Sequence, residues 1–291
     1  MALANKLARV FLGTLSDSLY CQLQYLWRLR RWPDLRNPQS FNEQIQWIKL
    51  FHRDPLMKLC SDKWTVRDYV EEAGCGRLLI PLLGVYDKPE EVPFEELPSR
   101  FVLKVSHGSG MNILCRDKAS LDRAKTSADI SRWMKADFAK VGREWAYTGV
   151  VPRIVCEEFL AGEDGEPPAD YKVHCFAGEP RFIQVDYARF VRHTRALYTP
   201  EWKRIACRLE YALEKNDYPP PGTLPDMLDA SRLLAKPFPY VRVDLYDLRG
   251  RLYFGELTFY HGKGVERFTP SRYDRDFGKW LRVRDGKIGA A

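Results

Sequence analysis

Residues 241–264 read VRVDLYDLRGRLYFGELTFYHGKG, and this stretch alone combines strand-like alternation with charges that the alternation lines up on one face. From Tyr240 to Asp247 and from Arg251 to Tyr260, branched and aromatic residues alternate with charged ones on either side of Asp247-Leu248-Arg249-Gly250. That pattern predicts a β-hairpin. Side chains two apart share a face, which groups Arg242 with Asp244 and Glu256 with Thr258. Symmetric pairing about Gly250 then sets Asp244 opposite Glu256 and Arg242 opposite Thr258, with Cβ atoms roughly 5 Å apart.

Two carboxylates at that separation repel unless a cation lies between them. Hard oxygen ligands of this kind suit Mg²⁺, and an arginine beside such a metal neutralises phosphate oxygens. The same residues fit a second reading, a solvated sheet edge across which Arg242 and Asp244 simply pair.

The 291 residues suffice for one large domain or two to three small ones. A formal charge of +7 favours an anionic partner, such as a nucleotide, acidic saccharide, nucleic acid or anionic lipid, without choosing among them. Seven scattered cysteines with no CxxC suggest neither a disulfide framework nor a zinc site and fit a reducing cytoplasm. No apolar run approaches the length of a transmembrane span, and no signal-peptide core with a cleavage site opens the chain, so export is not expected. Leu3 to Trp32 has helical periodicity, basic residues, Trp27 and Trp32. Such a helix either packs on its own domain or lies on a membrane surface.

Further helices are expected from Phe41 to about Phe51 and, started by Asp54-Pro55, from Asp54 to Val70. The second carries Lys63, which reads most simply as a salt-bridged surface lysine. A short strand is expected over Leu78 to Val85. Phe101 to Val105 reads as a strand leading into Ser106-His107-Gly108-Ser109-Gly110-Met111-Asn112, with Ile113 to Cys115 as the returning strand. Strand, small flexible loop and strand make either a plain glycine hairpin or a flap over phosphates, with Lys104 supplying charge at its edge. The loop lacks the GxxxxGK[ST] pattern, so a Walker P-loop is excluded.

Leu121 to Phe138 is predicted helical with Trp133 on its apolar side. Arg153 to Leu160 reads as a strand ending in acids, and Ala161 to Ala169 as a loop or hinge. A second hairpin runs from Asp170 to Phe176, turns at Gly178 and returns from Arg181 to Tyr187, with Asp170, Lys172 and His174 on one face. His107, His174 and His261 read as structural histidines. Arg181, Arg189, Arg192, His193 and Arg195 form the densest cationic run. A helix over Leu224 to Ala235 introduces the 241–264 hairpin. Arg272 to Leu281 reads as a closing helix, followed by a frayed end from Arg282 to Ala291.

Taken in order, Lys63, Lys104 with its glycine loop, Glu157-Glu158, Asp170-Tyr171-Lys172, Arg242-Val243-Asp244 and Gly255-Glu256-Leu257-Thr258 resemble the ATP-grasp superfamily. They most resemble its TupA-like branch, of teichuronopeptide and polysaccharide biosynthesis. The resemblance runs from about Phe41 to Trp280 and includes SDKWTVRDYV, FVLKVSHGSG, DYKVHCFAGEP, VRVDLY and FGELTF. It implies an α+β ATP-grasp fold: a helical N-terminal region over 1–96, a glycine-flap subdomain over 97–160 and a C-terminal mixed or antiparallel sheet subdomain over 161–291, enclosing ATP.

By the same resemblance, Lys63 and Lys104 hold the nucleotide phosphates under a flap of Ser106, His107, Gly108, Ser109, Gly110 and Met111. Glu157, Glu158, Phe159 and Leu160 match the adenine-contacting hinge, and Asp170 stands with the nucleotide-binding groups. Arg242 matches the arginine that steadies the transferred phosphoryl group, with Lys172 as a second catalytic candidate. Asp244 and Glu256 match the acidic metal ligands. Thr258 stands where the third ligand is commonly Asn, and a hydroxyl binds Mg²⁺ more weakly.

The resemblance implies an ATP-dependent carboxylate–amine ligase that uses Mg²⁺, with Mn²⁺ as an alternative ion, and proceeds through an acyl phosphate. Its acceptor would be an anionic small molecule or saccharide, a sugar acid or amino acid of surface-polysaccharide assembly. A cytoplasmic setting is implied, with peripheral contact to the inner face of the membrane through residues 1–32. Competing expectations are a glycosyltransferase or other sugar-nucleotide enzyme and an ATP-dependent kinase. A nucleic-acid partner is not expected, since only net charge suggests one and no recognisable motif accompanies it.

Overall fold

Side-chain oxygens of Ser16, Ser40 and Asp54 open the first three helices described. The computed structural model describes residues 14–162, 165–166, 168–187, 193–284 and 286–290. Ser16 accepts from the Leu19 N–H to start α1 (Asp17–Leu29), and Ser40 with Glu43 forms a capping box on α2 (Phe41–Phe51). α1 buries Cys21 and Tyr25 against the body of the protein, and Arg28 pairs with Glu210 at 2.6 Å. It is therefore a packed helix. Trp27 and Trp32 nevertheless remain 65% and 54% exposed. Residues 3–13 of the expected helix lie outside the described residues.

The helix expected over 54–70 is two, α3 (Pro55–Ser61) and α4 (Val66–Glu72). The break has a chemical cause, because Asp62 Oδ1 accepts from the backbone N–H groups of Trp64 at 2.7 Å and Thr65 at 3.0 Å. Such an Asx turn competes with helix continuation. Lys63 consequently sits in a turn and not along a helix face.

The smaller main sheet contains β1 (Leu82–Tyr86), β2 (Phe101–Val105), β3 (Asn112–Cys115) and β4 (Ile154–Glu158), in the antiparallel order β1-β4-β2-β3. Between β3 and β4 the expected single helix divides into α5 (Arg123–Met134) and α6 (Phe138–Gly142), because Asp137 accepts from the Lys140 N–H and caps a new start. Phe101, Leu103, Val105, Ile130, Ile154 and Cys156 share one core here. β1, which overlaps the strand expected over Leu78 to Val85, pairs with β4, so this sheet takes in a strand from before residue 97.

The larger sheet takes β5 (Ala169–Phe176), β6 (Glu179–Tyr187), β7 (Thr194–Tyr198), β8 (Arg204–Ile205), β10 (Ala212–Leu213), β11 (Tyr240–Leu248) and β12 (Arg251–Thr258). Its order is β10-β7-β6-β5-β11-β12 with β8 on β7, while β9 (Arg208–Leu209) pairs with β13 (Phe268–Thr269). Val173, Val185, Val243 and Leu245 fill one face together with Met227 and Leu234 of α7 (Leu224–Ala235). Each such side chain contributes roughly 1.5–3 kcal/mol when fully buried. The opposite face grades along β5 from Phe176 and His174 to Lys172 and Asp170. Phe41 of α2 covers the aromatic end, with ring centroids 5.4 Å from Phe176 and 5.1 Å from Tyr240. The charged end holds the candidate site.

The β11–β12 hairpin turns at Arg249 and Gly250, both left-handed with φ of 55° and 76°. Counting outward from Leu248↔Arg251 would set Asp244 against Gly255, but a bulge between Asp244 and Leu245 restores Asp244↔Glu256 and Arg242↔Thr258. Gly255 suits that bulge because a Cβ there would stand 3.1 Å from the Asp244 carbonyl oxygen.

The closing helix α8 (Arg272–Gly278) ends before Leu281, and the end expected to fray pairs instead as β14 (Leu281–Arg284) with β15 (Lys287–Ala290). Leu281, Val283 and Ile288 pack on the main core, which accounts for its order. α8 docks on the start of α2, where the Asn42 N–H donates to Asp274 Oδ1 at 2.9 Å and Gln44 Nε2 to the Gly278 carbonyl at 2.7 Å. A Cβ on Gly278 would stand 2.2 Å from the Gln39 carbonyl oxygen and 2.9 Å from the Phe41 nitrogen. Gly278→Ala should therefore lower stability to chemical denaturation by about 2 kcal/mol. Gly222→Ala, at a position with open space, is the control, and equal midpoints for the two variants would contradict this docking.

Candidate active site

Asp244 is the hub of the charged end. Arg242 grips it with two hydrogen bonds, Nε to Oδ1 at 2.6 Å and Nη2 to Oδ2 at 2.7 Å. Lys172 Nζ, on the neighbouring strand, donates to the same Oδ2 at 2.8 Å and also pairs with Asp170. Burial alone would raise the Asp244 carboxyl, yet Arg242 and Lys172 hold it below the ordinary carboxylate range. Burial likewise opposes the Arg242 charge, but Asp244 more than offsets this and raises its pKa. Arg242 Nη2 further contacts Glu256 Oε1 at 3.4 Å and Thr258 Oγ1 at 3.0 Å. The cation between the opposed acids is thus supplied by the protein itself, as in the arginine–aspartate pairing reading, but with Asp244 buried and not on a solvated edge.

From the smaller sheet, Lys104 Nζ donates to Glu157 Oε2 at 2.5 Å and Arg67 Nη1 to Glu157 Oε1 at 3.0 Å. Glu157 therefore organises cations, while Glu158, also expected in the hinge, is exposed at the end of β4. Phe159 and Leu160 are half-buried after it, with Arg100 over the Phe159 ring at 5.9 Å.

Lys63 reaches the Gly108 carbonyl with its ammonium, and its backbone N–H donates to the Ser106 carbonyl at 3.1 Å. Burial pushes the Lys63 ammonium down, and the Glu256 carboxylate is the strongest influence opposing this. The turn lysine thereby stands between flap and hairpin.

The flap is anchored at its base. Buried Ser106 donates to Asp62 Oδ2 at 2.7 Å, and His107 Nε2 lies 2.9 Å from the Ala136 carbonyl oxygen. Gly108 and Met111 are buried, whereas Ser109 and Gly110 are exposed at the tip. Gly110 has φ of 74°, the left-handed conformation that glycine adopts freely.

Beyond Arg242, His261 Nδ1 lies 3.1 Å from Nη1, and His261 Nε2 lies 2.9 Å from Glu266 Oε2. Arg195, the last member of the cationic run, is buried and pairs with Asp186 at 2.6 Å and Glu266 at 3.2 Å. Arg189 and Arg192 fall outside the described residues, and Arg181 is exposed. His174 is buried against Tyr240 at 3.0 Å, as a structural histidine should be.

Sequence reasoning missed Asp62, Arg67, His261 as an arginine partner, and Glu266. Only Asp62 carried a local signal, the Asx-turn residue two before Trp64. The others act across long sequence separations. All seven cysteines are buried free thiols.

A sequence model described as TupA-like ATPgrasp matches residues 43–282. No curated protein matches the chain in sequence. Among solved structures, the D-alanine–D-alanine ligase of Bacillus anthracis complexed with ATP is similar at 15% identity and a TM-score of 0.40, covering 76% of this chain and 57% of that one. The L-amino acid ligase of Bacillus licheniformis is similar at 14% identity and a TM-score of 0.44, covering 77% of this chain and 50% of its own. The phosphoribosylamine–glycine ligase of Thermotoga maritima gives 13% identity and a TM-score of 0.41, covering 76% and 50%. The chain thus spans between 50% and 57% of the length of these structures.

The network should be visible in acid. Burial would raise the Glu266 carboxyl, but His261 and Arg195 beside it bring it from 4.5 down to about 2. A carboxyl depressed on folding stabilises above its unfolded pKa and loses that contribution as pH falls through the folded value. Stability worth up to about 3 kcal/mol should therefore be lost between roughly pH 4.5 and 2. In denaturant titrations across this window Glu266→Gln should show a shallower pH slope than the natural protein, and identical slopes would remove the assignment.

Proposed function

This chain belongs to the TupA-like ATP-grasp family, and we propose on that premise that it is an ATP-dependent carboxylate–amine ligase. The observation that carries the proposal is the convergence of two lysines from one sheet and its adjoining turn with an arginine and two acids from the other. Lys63 and Lys104 would hold the nucleotide phosphates, and Ser109 and Gly110 at the exposed tip of the flap would close over them. Arg242, with five donors in a fixed fork, is suited to spread the charge of a phosphoryl group in transfer.

The donor set fits a divalent cation. Asp244 and Glu256 are opposed across the hairpin, with the Thr258 hydroxyl 3.0 Å from Glu256 Oε1. Their oxygens are hard ligands of the kind that Mg²⁺ or Mn²⁺ prefers. Asp244 and Glu256 would hold the ion, with the Thr258 hydroxyl as a weaker third ligand. When bound, Mg²⁺ supplies Lewis-acid polarisation of the outer phosphate oxygens.

In the first step a carboxylate oxygen of the acceptor forms a bond to the γ-phosphorus as the bond to the ADP oxygen breaks. An amine then attacks the acyl carbon, phosphate leaves, and the amine gives up its proton. Between the steps, closure of the flap and the buried Arg242–Asp244–Lys172 array would keep water from the acyl phosphate. The acceptor is an anionic small molecule or saccharide, a sugar acid or amino acid of surface-polysaccharide assembly. The overall charge of +7 supports an anionic acceptor. The enzyme would work in the cytoplasm. No described helix is long and apolar enough to cross a membrane, and exposed Trp27 and Trp32 are the groups that would touch an inner membrane face.

Mg²⁺ with ATP should raise the unfolding midpoint more than UDP-sugars do, since ligand binding stabilises by mass action. With accepted acids and hydroxylamine, turnover should release ADP and trap a hydroxamate. Asp244→Asn and Glu256→Gln should each lower that turnover, measured per folded protein, by at least about 100-fold. ADP release without hydroxamate would indicate a kinase. Stabilisation by UDP-sugars alone would favour a sugar-nucleotide enzyme, and AMP as primary product would reject the mechanism.

A further inference from the structure

Arg242 is held from its far side by groups that the proposed chemistry leaves unused. Its Nη1 lies 3.1 Å from His261 Nδ1. A guanidinium has only donors, so Nδ1 must accept and the imidazole proton belongs on Nε2. That nitrogen lies 2.9 Å from Glu266 Oε2. The same carboxylate oxygen is 3.2 Å from Arg195 Nη1, and Arg195 Nε donates to Asp186 Oδ1 at 2.6 Å. Charge thus alternates from β6 and β7 through the 261–266 loop to β11.

The loop backbone is fixed as firmly as its side chains. Gly262, Lys263 and Gly264 are all left-handed, with φ of 52°, 58° and 68°. Lys263 gains nothing locally from that conformation, so its surroundings must impose it. α2 does so, since Gln46 Nε2 donates to the carbonyls of Lys263 at 2.9 Å and Gly264 at 3.1 Å. Lys49 Nζ adds a bond to Lys263 O at 3.0 Å, and Asn42 Nδ2 one to Glu266 O at 2.9 Å. The Phe41 ring stacks on His261 at 6.0 Å and 23°. A histidine that served only to fill the core would not need its second nitrogen within 2.9 Å of a half-buried carboxylate.

We propose that His261 and Glu266 are positioning residues for Arg242, with Glu266 fixing the imidazole tautomer whose Nδ1 lone pair holds the guanidinium in register with Asp244, Glu256 and Thr258. Arg195 and Asp186 anchor Glu266, and α2 anchors the loop. With Nη1 occupied by His261 and Nε by Asp244, the guanidinium plane has one orientation, and Nη2 is the corner presented to Glu256 and Thr258. The catalytic consequence rests on the ligase reading, whereas the tautomer does not.

The test uses the full chain with ¹⁵N-labelled histidine. Long-range ¹H–¹⁵N correlations should show His261 protonated on Nε2 and unprotonated on Nδ1, assigned by the signal missing from His261→Asn, and Glu266→Ala should weaken that preference. In kinetics, His261→Ala should lower kcat for Mg²⁺-dependent ATP turnover about tenfold with KM for ATP nearly unchanged. His261→Asn, which keeps an acceptor at the Nδ1 position, should recover most of the loss. A proton on Nδ1 in the natural protein, or natural kcat in a folded His261→Ala variant, would overturn the proposal. The tautomer is read without substrate, so the expected tautomer in a protein that forms no hydroxamate counts against the ligase chemistry and still supports the relay.

Discussion

One buried carboxylate organises the molecule. Asp244 sits beneath two cations, gripped in plane by Arg242 and from the adjacent strand by Lys172. Removing either cation would strand charge in a low-dielectric setting, which costs far more than an exposed pair of the same type. The strands that carry these three groups must therefore keep their register, and β11 must lie between β5 and β12. That order is observed. The apolar face behind them supplies the energy and the charged face supplies the constraint.

The two sheets are used differently. The larger sheet contributes opposite charges at close quarters, whereas the smaller one contributes Lys104 and the acid Glu157 that ties it to Arg67 of α4. Lys63 belongs to neither, and its place between flap and hairpin depends on the Asx turn at Asp62 that ends α3. Asp62 has a double role, because its second oxygen accepts from Ser106 at the base of the flap. A helix running through that point would carry Lys63 away from the Gly108 carbonyl and uncouple it from the flap.

The N-terminal helices are part of the site's support. α2 lays Phe41 across the aromatic end of the large sheet while Gln46 and Lys49 hold the carbonyls of the strained 262–264 turn. α8 in turn fixes the start of α2 through Asp274 and Gly278. Support for Arg242 is thus drawn from both ends of the chain, which suits a group whose orientation matters as much as its charge.

Local pattern was enough for the hairpins. Alternation set the faces of β5, β11 and β12, because period-two geometry is a short-range effect, but the bulge beside Asp244 that restores its opposition to Glu256 around the Arg249-Gly250 turn was not legible. The starts of α2 and α7 were legible as short-range effects. Tertiary structure alone decided the rest. Glu157 became a clamp for Lys104 and Arg67, Arg195 of the cationic run became the buried partner of Asp186 and Glu266, and His261 became the neighbour of Arg242. Residues 282–284 and 287–290 pair instead of fraying because the core offers Val283 and Ile288 a surface to bury. Each of these is a choice of partner across the fold, and a charge in a sequence carries its sign but not the identity of the opposite charge that folding will bring to it.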